Sequence, residues 1–360
     1  MSGQWLELES KKDLAQCMER VEAWFAGELL DRPPVRFTRH NAEFETGGEQ
    51  LEGEALRARW FDVDYHLKSF VDSMRGKRFN GETFPVFWPN LGPDVYAAFY
   101  GCPLTYGDLT SWAQHCVKSK EDMAKLRYDP DNQYMRGIEA FTRRALELAP
   151  GRFIVGYTDL HPGIDTAVAW RGQEEFCLDL YDDPDFAKAL IKLASTDFES
   201  IYDRFHGPLK AAGQPSVTWM GIPAAGKMHV PSCDFASMLS PEHFDEFVYP
   251  ELERECRMMS HNVFHIDGKG VARHIDRLLE LPGVQGYQWV QGVGDDEAIM
   301  QWIPLIRKIQ DMGKGVVVDL KPNELGAFME VVGPRGIYLC IGSSSEEEEL
   351  AILEKLTKWR

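Results

Sequence analysis

The chain has 360 residues, and 39 Lys+Arg against 57 Asp+Glu give a formal net charge of −18, a balance that repels nucleic acids and anionic membrane surfaces. With 44% hydrophobic residues, 27% charged residues and ten Trp, the composition excludes a long disordered chain and supplies a substantial core. No stretch reaches the roughly 18 to 20 apolar residues of a membrane span, and Met1-Ser2-Gly3-Gln4-Trp5 opens no basic or apolar leader, so a cytoplasmic protein is expected.

Residues 1–80 read as a charged N-terminal helical extension packed on the rest. Between 11 and 30, Leu14, Cys17, Met18, Val21, Trp24 and Phe25 recur at near-helical spacing, and Asp31-Arg32-Pro33-Pro34 stops the helix. A second helix is predicted over 56–75, after an acidic loop around Gly47-Gly48-Glu49. The texture then changes for residues 81–360. Short apolar runs at 85–88, 153–157, 216–220, 262–266, 284–290, 315–318 and 336–340 alternate with amphipathic segments at 185–205, 241–259, 270–281, 296–312 and 323–332. That alternation predicts a parallel sheet covered by helices. With one more strand at 227–230 the count fits an α/β fold of the (β/α)8 TIM-barrel type, and no Gly-x-Gly-x-x-Gly turn argues for a dinucleotide fold.

The seven cysteines, at 17, 102, 116, 177, 233, 256 and 340, are odd in number and contain no C-x-x-C pair, which argues for buried thiols and against a disulfide framework. Polar residues gather where the predicted strands run out: Asn90, Asp159, His161, Ser232, Asp234, His265, Asp267, Gln291, Asp319 and Cys340. A barrel brings such strand ends around one mouth; loops are polar in any case, which accounts for part of the pattern.

Within that set, His265 and Asp267 stand two apart at a strand end and point to one face, with Gly268 and Gly270 allowing a sharp turn. Together with Cys340, at the end of the last strand, they form a nitrogen, oxygen and sulfur set suited to Zn²⁺. The same residues also read as a His-Asp hydrogen-bonded pair beside a packed cysteine. In Asp159-Leu-His-Pro-Gly163, Asp159 is either a base, an orienting partner of His161 or a turn-forming carboxylate. Asp159, His161 and Asp234 are the catalytic candidates; Tyr157, Trp289, Asn90 and Gln291 are the candidate substrate contacts, with Tyr157 and Trp289 expected to form an apolar wall. Ser345 followed by Glu348 reads as a cap opening the last helix rather than a phosphate site, because the glutamates at 346–349 repel another anion. The basic residues of 118–144 are interleaved with acids and read as a solvated helical surface.

Several segments together resemble the uroporphyrinogen decarboxylase superfamily, which includes cobalamin-dependent methyltransferases. They are Asp159-Leu-His-Pro-Gly163 with Ala167, Gly172 and Asp179-Leu-Tyr-Asp-Asp-Pro184; Ser232-Cys-Asp234 with Met238-Leu-Ser-Pro-Glu-His-Phe-Asp-Glu-Phe-Val-Tyr-Pro250; and His265-Ile-Asp-Gly268. The resemblance spans about residues 84–350 and implies a (β/α) barrel with an open cleft. True decarboxylases of this group carry an arginine-rich N-terminal segment for a polycarboxylate, a motif that residues 32–40 do not reproduce. The methyltransferase branch carries a His-x-Cys pair followed by Gly and a C-terminal cysteine as zinc ligands. His265, Gly268 and Cys340 match that pattern, and Asp267 departs from it. The resemblance therefore implies a methyltransferase moving a methyl group between a small methylated compound and a corrinoid carried on a partner protein, with zinc assistance. A carboxylate in place of a thiolate shifts the metal towards Lewis-acid activation of a leaving group. The alternatives are a metal-free decarboxylase of a tetrapyrrole or small acid, and a binding protein on a degenerate barrel.

Overall fold

The computed structural model describes residues 5–39 and 50–359; residues 1–4, His40, the acidic loop predicted at Gly47-Gly48-Glu49 and Arg360 lie outside the described residues. Ten strands are formed among the described residues: β1 (Val35–Arg39), β2 (Val86–Phe87), β3 (Leu104–Tyr106), β4 (Ser111–Ala113), β5 (Ile154–Val155), β6 (Met228–His229), β7 (His261–Asp267), β8 (Gly286–Val290), β9 (Gly315–Leu320) and β10 (Ile337–Ser343). A curled, parallel six-stranded sheet runs in the order β1-β10-β9-β8-β7-β6, and β2 pairs in parallel with β5. Helices return the chain between the later strands, as parallel pairing requires.

This ladder is a half-barrel rather than the eight continuous strands predicted. The 216–220 run makes no strand: Ser216 forms only an isolated bridge with Ala224. Gly221 at φ +68° and Pro223 interrupt the run, and a proline supplies no ladder N–H. Single backbone bonds still link neighbouring segments, from Glu82 N to Val35 O (2.7 Å), Gly156 N to Phe87 O (2.8 Å) and Tyr157 N to Val217 O (2.9 Å).

The segment read as a purely helical extension also contributes a strand. β1 lies directly after Pro33-Pro34 and pairs with β10 through Val35–Leu339 to Arg39–Ser343. The antiparallel β3–β4 hairpin was likewise not predicted. The long helix expected over 56–75 is two helices, Gly53–Trp60 and Val63–Ser73, because Asp62 caps the second by accepting from Tyr65 N at 2.9 Å. At the other end of the chain, Ser345 Oγ accepts from Glu348 N and opens Glu346–Leu356 as predicted.

Strand alternation sorts the core into two clusters. Val263, Val317, Tyr338 and Cys340 face inward and meet Met18, Val21 and Trp24 of the Leu14–Phe25 helix, which closes one end of the half-barrel. Trp24 donates its indole N–H to Gly336 O at 3.0 Å. Its ring lies so close to β8 and β9 that a Cβ at Gly286 or Gly315 would stand 2.3 or 2.5 Å from it. Outward-facing Phe264, Ile266, Tyr287, Trp289, Val316 and Val318 pack beneath the helices. All seven cysteines are free thiols, as expected, and five of them are buried.

Candidate functional site

The C-terminal ends of the strands carry the polar side chains. His161 follows β5 on an extended segment and is held at both ring nitrogens: Nε2 lies 2.8 Å from Asp159 Oδ1, and Nδ1 lies 2.7 Å from Ser232 Oγ. Burial opposes its charge, but the adjacent Asp159 carboxylate, with Asp165 and Asp234 beyond it, wins and pushes the imidazole up to about 10. His161 is therefore an imidazolium at neutral pH, and Ser232 accepts its Nδ1–H.

Asp165 sits on the first turn of the Ile164–Arg171 helix and accepts from Asp234 N and Phe235 N, both at 3.1 Å. It thereby caps the short Asp234–Met238 turn from a different element. Burial and the neighbouring Asp234 push its carboxyl up to about 6, against the pull of His161 and the two N–H groups. His161, Asp165 and Asp234 line one cleft of about 290 Å³ with Asp94 and Gln173. Asp159 stands behind His161 and touches the cleft through it.

The Asp234 turn also reaches the end of β7. Gly268 turns there at φ +71°, and Gly270 packs so tightly that a Cβ would lie 2.8 Å from Ser237 Cβ. Arg273 donates to Ser237 O at 2.9 Å, and His274 Nε2 lies 3.0 Å from Ala236 O. These contacts bring Asp234 to His265 and Asp267, so that one potential ligand atom from each lies within 4.8 Å of the others. Gln288, paired with His265 across β7 and β8, accepts from His265 Nδ1 at 2.7 Å. That bond leaves the Nε2 lone pair available, and two carboxylates with one imidazole are a donor set that fits a divalent ion such as Zn²⁺ or Mn²⁺.

Cys340 does not belong to this set. Two strands separate β10 from β7 in the sheet, and the neighbours of Cys340 along the ladder are Arg36 and Asp319. Burial, only partly offset by the Arg36 charge, pushes its thiol up to about 11. The oxygen-rich set with Asp234 replaces the predicted sulfur ligand.

The predicted apolar wall is also placed elsewhere. Tyr157 faces the helices, donates to Met228 O at 2.8 Å and meets the Tyr202 ring. Trp289 alternates with inward-facing Gln288 and packs outward on Trp302 at 4.8 Å. Both rings are core. Asn90 lines a separate cavity near the end of β2, and Gln291 donates to Glu297 O and Asp319 O beyond β8. The aromatic rings that do meet the site include Trp219, edge-on to His265 at 5.2 Å, and Phe235, which lines the cleft. Sequence reasoning missed Asp165 and Gln288. The spacing Asp159-x-His161-x-x-x-Asp165 and the lone polar residue inside Gly286–Val290 were the available signals.

No protein-family model matches the sequence, and no curated protein matches it. Among solved structures, the chain is similar to a methyltransferase from Methanosarcina mazei, with TM-score 0.58 and 12% identity over 95% of this chain and 98% of that one. At this identity the likeness establishes a shared fold only. A second match, the homocysteine methyltransferase MmuM from Escherichia coli in its metallated form, covers 91% of this chain and 96% of that one at 12% identity, but its TM-score of 0.33 is too low to carry an argument. Among the described residues no helix is long and apolar enough to cross a membrane.

Proposed function

We propose that this protein is a methyltransferase of the uroporphyrinogen decarboxylase-like barrel type, moving a methyl group between a small methylated compound and a corrinoid carried on a partner protein. The observation that carries the reading is the convergence of Asp234, His265 and Asp267 beside a cleft that also holds an imidazolium and a carboxyl near pKa 6. The resemblance of the sequence motifs and the methyl-transfer activity named for the structural relative agree with it.

Asp234, His265 and Asp267 would hold a divalent ion, which when bound supplies Lewis-acid polarisation of the leaving atom. The protein's own groups do the rest. Removing a methyl group from oxygen or nitrogen leaves a basic atom that needs a proton. Asp165, held in the cleft beside Asp234 by the Asp234 and Phe235 N–H groups, is the carboxyl placed to deliver that proton and to recover it from water. His161, fixed by Asp159 and Ser232, contributes a constant positive charge beside Asp165 and Asp234 and keeps three cleft carboxylates from repelling one another. Gln288 holds the His265 ring in one tautomer.

The test is metal analysis after reconstitution, followed by mixing the protein with Co(I) corrinoid and a panel of methoxylated aromatics, methylamines and betaines. About one ion per chain and formation of methyl-Co(III) absorbance are expected. Uroporphyrinogen turnover with a silent corrinoid panel would establish the decarboxylase reading instead.

A further inference from the structure

A second cavity, of about 520 Å³, opens near the end of β2 against the Gly53–Trp60 and Val63–Ser73 helices, and it shares no lining residue with the His161 cleft. Its walls are aromatic: Trp60, Phe70, Phe87 and Phe141 present their rings, three of them buried. Two hydrogen-bond donors in the same lining are unused. The Arg59 guanidinium is held 3.9 Å above the Tyr65 ring, yet among the described residues it makes neither a hydrogen bond nor an ion pair, although Asp108 lines the same cavity. Asn90 spends its Oδ1 on Gly92 N at 2.7 Å, and its amide N–H groups have no protein acceptor among the described residues.

A cation kept in place by stacking alone is pre-positioned for an anion at little further entropy. His66 adds no second cation: burial lowers its pKa, and its Nε2 lies 2.9 Å from Arg59 O. We infer that this cavity is a binding site for an aromatic monocarboxylate, its ring between Trp60, Phe87 and Phe141 and its carboxylate on Arg59 and Asn90. Apolar walls with a few convergent polar groups, in a volume of several hundred Å³, are the usual make-up of a small-molecule site. A cationic ligand fits worse, because it leaves the Asn90 amide unpaired and meets the Arg59 charge, with Asp108 alone to favour it.

The inference is independent of methyl transfer, since binding is read without metal or corrinoid. Calorimetric titration of the full chain with benzoate, phenylacetate, benzyl alcohol and tetramethylammonium is the experiment. Benzoate or phenylacetate is expected to bind better than benzyl alcohol, and tetramethylammonium not at all. Arg59→Gln, at a partly exposed and unpaired side chain, is expected to weaken the carboxylates about tenfold or more while leaving the alcohol within about twofold. Absence of carboxylate binding at millimolar concentration, binding unaffected by Arg59→Gln, or preference for the cation would each overturn the assignment.

Discussion

Asp159→Asn removes the carboxylate that keeps His161 charged while preserving the size of the side chain. In the folded protein His161 lies near 10, against 6.5 for a free imidazole. The native state therefore binds this proton more tightly than the unfolded chain. The resulting stabilisation is complete below pH 6.5 and is lost as pH rises through about 10. Three and a half pH units at ~1.4 kcal/mol each cap the contribution near ~5 kcal/mol, and the 19% exposure of the His161 side chain reduces it to roughly 2–4 kcal/mol through solvent screening. In the variant, burial works against the charge and only the more distant Asp165 and Asp234 favour it, so His161 is expected to titrate well below the wild-type ring. Urea unfolding at pH 6.5, 8 and 9.5 measures the stability difference between the two proteins, and NMR titration of the His161 ring reads its protonation directly. The difference is expected to shrink steadily with pH. An equal difference at pH 6.5 and 9.5, or a wild-type ring titrating near 6.5, would refute the assignment of a permanent imidazolium.

Asp234→Asn and His265→Ala should each lower divalent-metal occupancy by at least about tenfold, whereas Cys340→Ser should leave it unchanged; loss of metal in the cysteine variant, by elemental analysis, would restore the thiol as a ligand. Trp289→Ala should destabilise the fold by about 3–5 kcal/mol through a cavity against Trp302 without changing the metal content, which thermal unfolding and metal analysis check together. Glu82 accepts from Arg20, Arg32 and Val35 N with no solvent exposure. Its replacement in Glu82→Leu leaves the buried Arg32 guanidinium with only the Pro33 carbonyl and Arg20 with Asp31 alone, and should cost about 3–5 kcal/mol; a loss below about 1 kcal/mol in denaturant unfolding would contradict that account.

How much of this was legible in the residues differs from element to element. The runs at 262–266, 284–290, 315–318 and 336–340 announced β7 to β10 because a strand buried on both faces must be apolar throughout. For the same reason, polar residues collect where the strands stop, which pointed to His161, Asp234, His265 and Asp267. β1 was hidden because it follows two prolines and contains two arginines, so nothing local marks it as a strand; its ladder with β10 creates it.

The finer decisions belonged to tertiary structure. In Gly286–Val290, where Gln288 is the lone polar residue in an otherwise apolar strand, the sequence alone does not say which face turns inward, and Trp289 goes to the helices because Gln288 pairs with His265. Tyr157 followed the same logic, its hydroxyl fixed by the Met228 carbonyl on a strand more than 70 residues away. The third residue beside His265 and Asp267 is Asp234 rather than Cys340. That choice depends on the Gly270–Ser237 contact and the Arg273 bonds, which join segments more than 30 residues apart, and spacing along the chain carries no record of such an approach. The charge of His161 is decided in the same way: its residue type allows either protonation state at neutral pH, and only the packing of Asp159, Asp165 and Asp234 around it selects the cation.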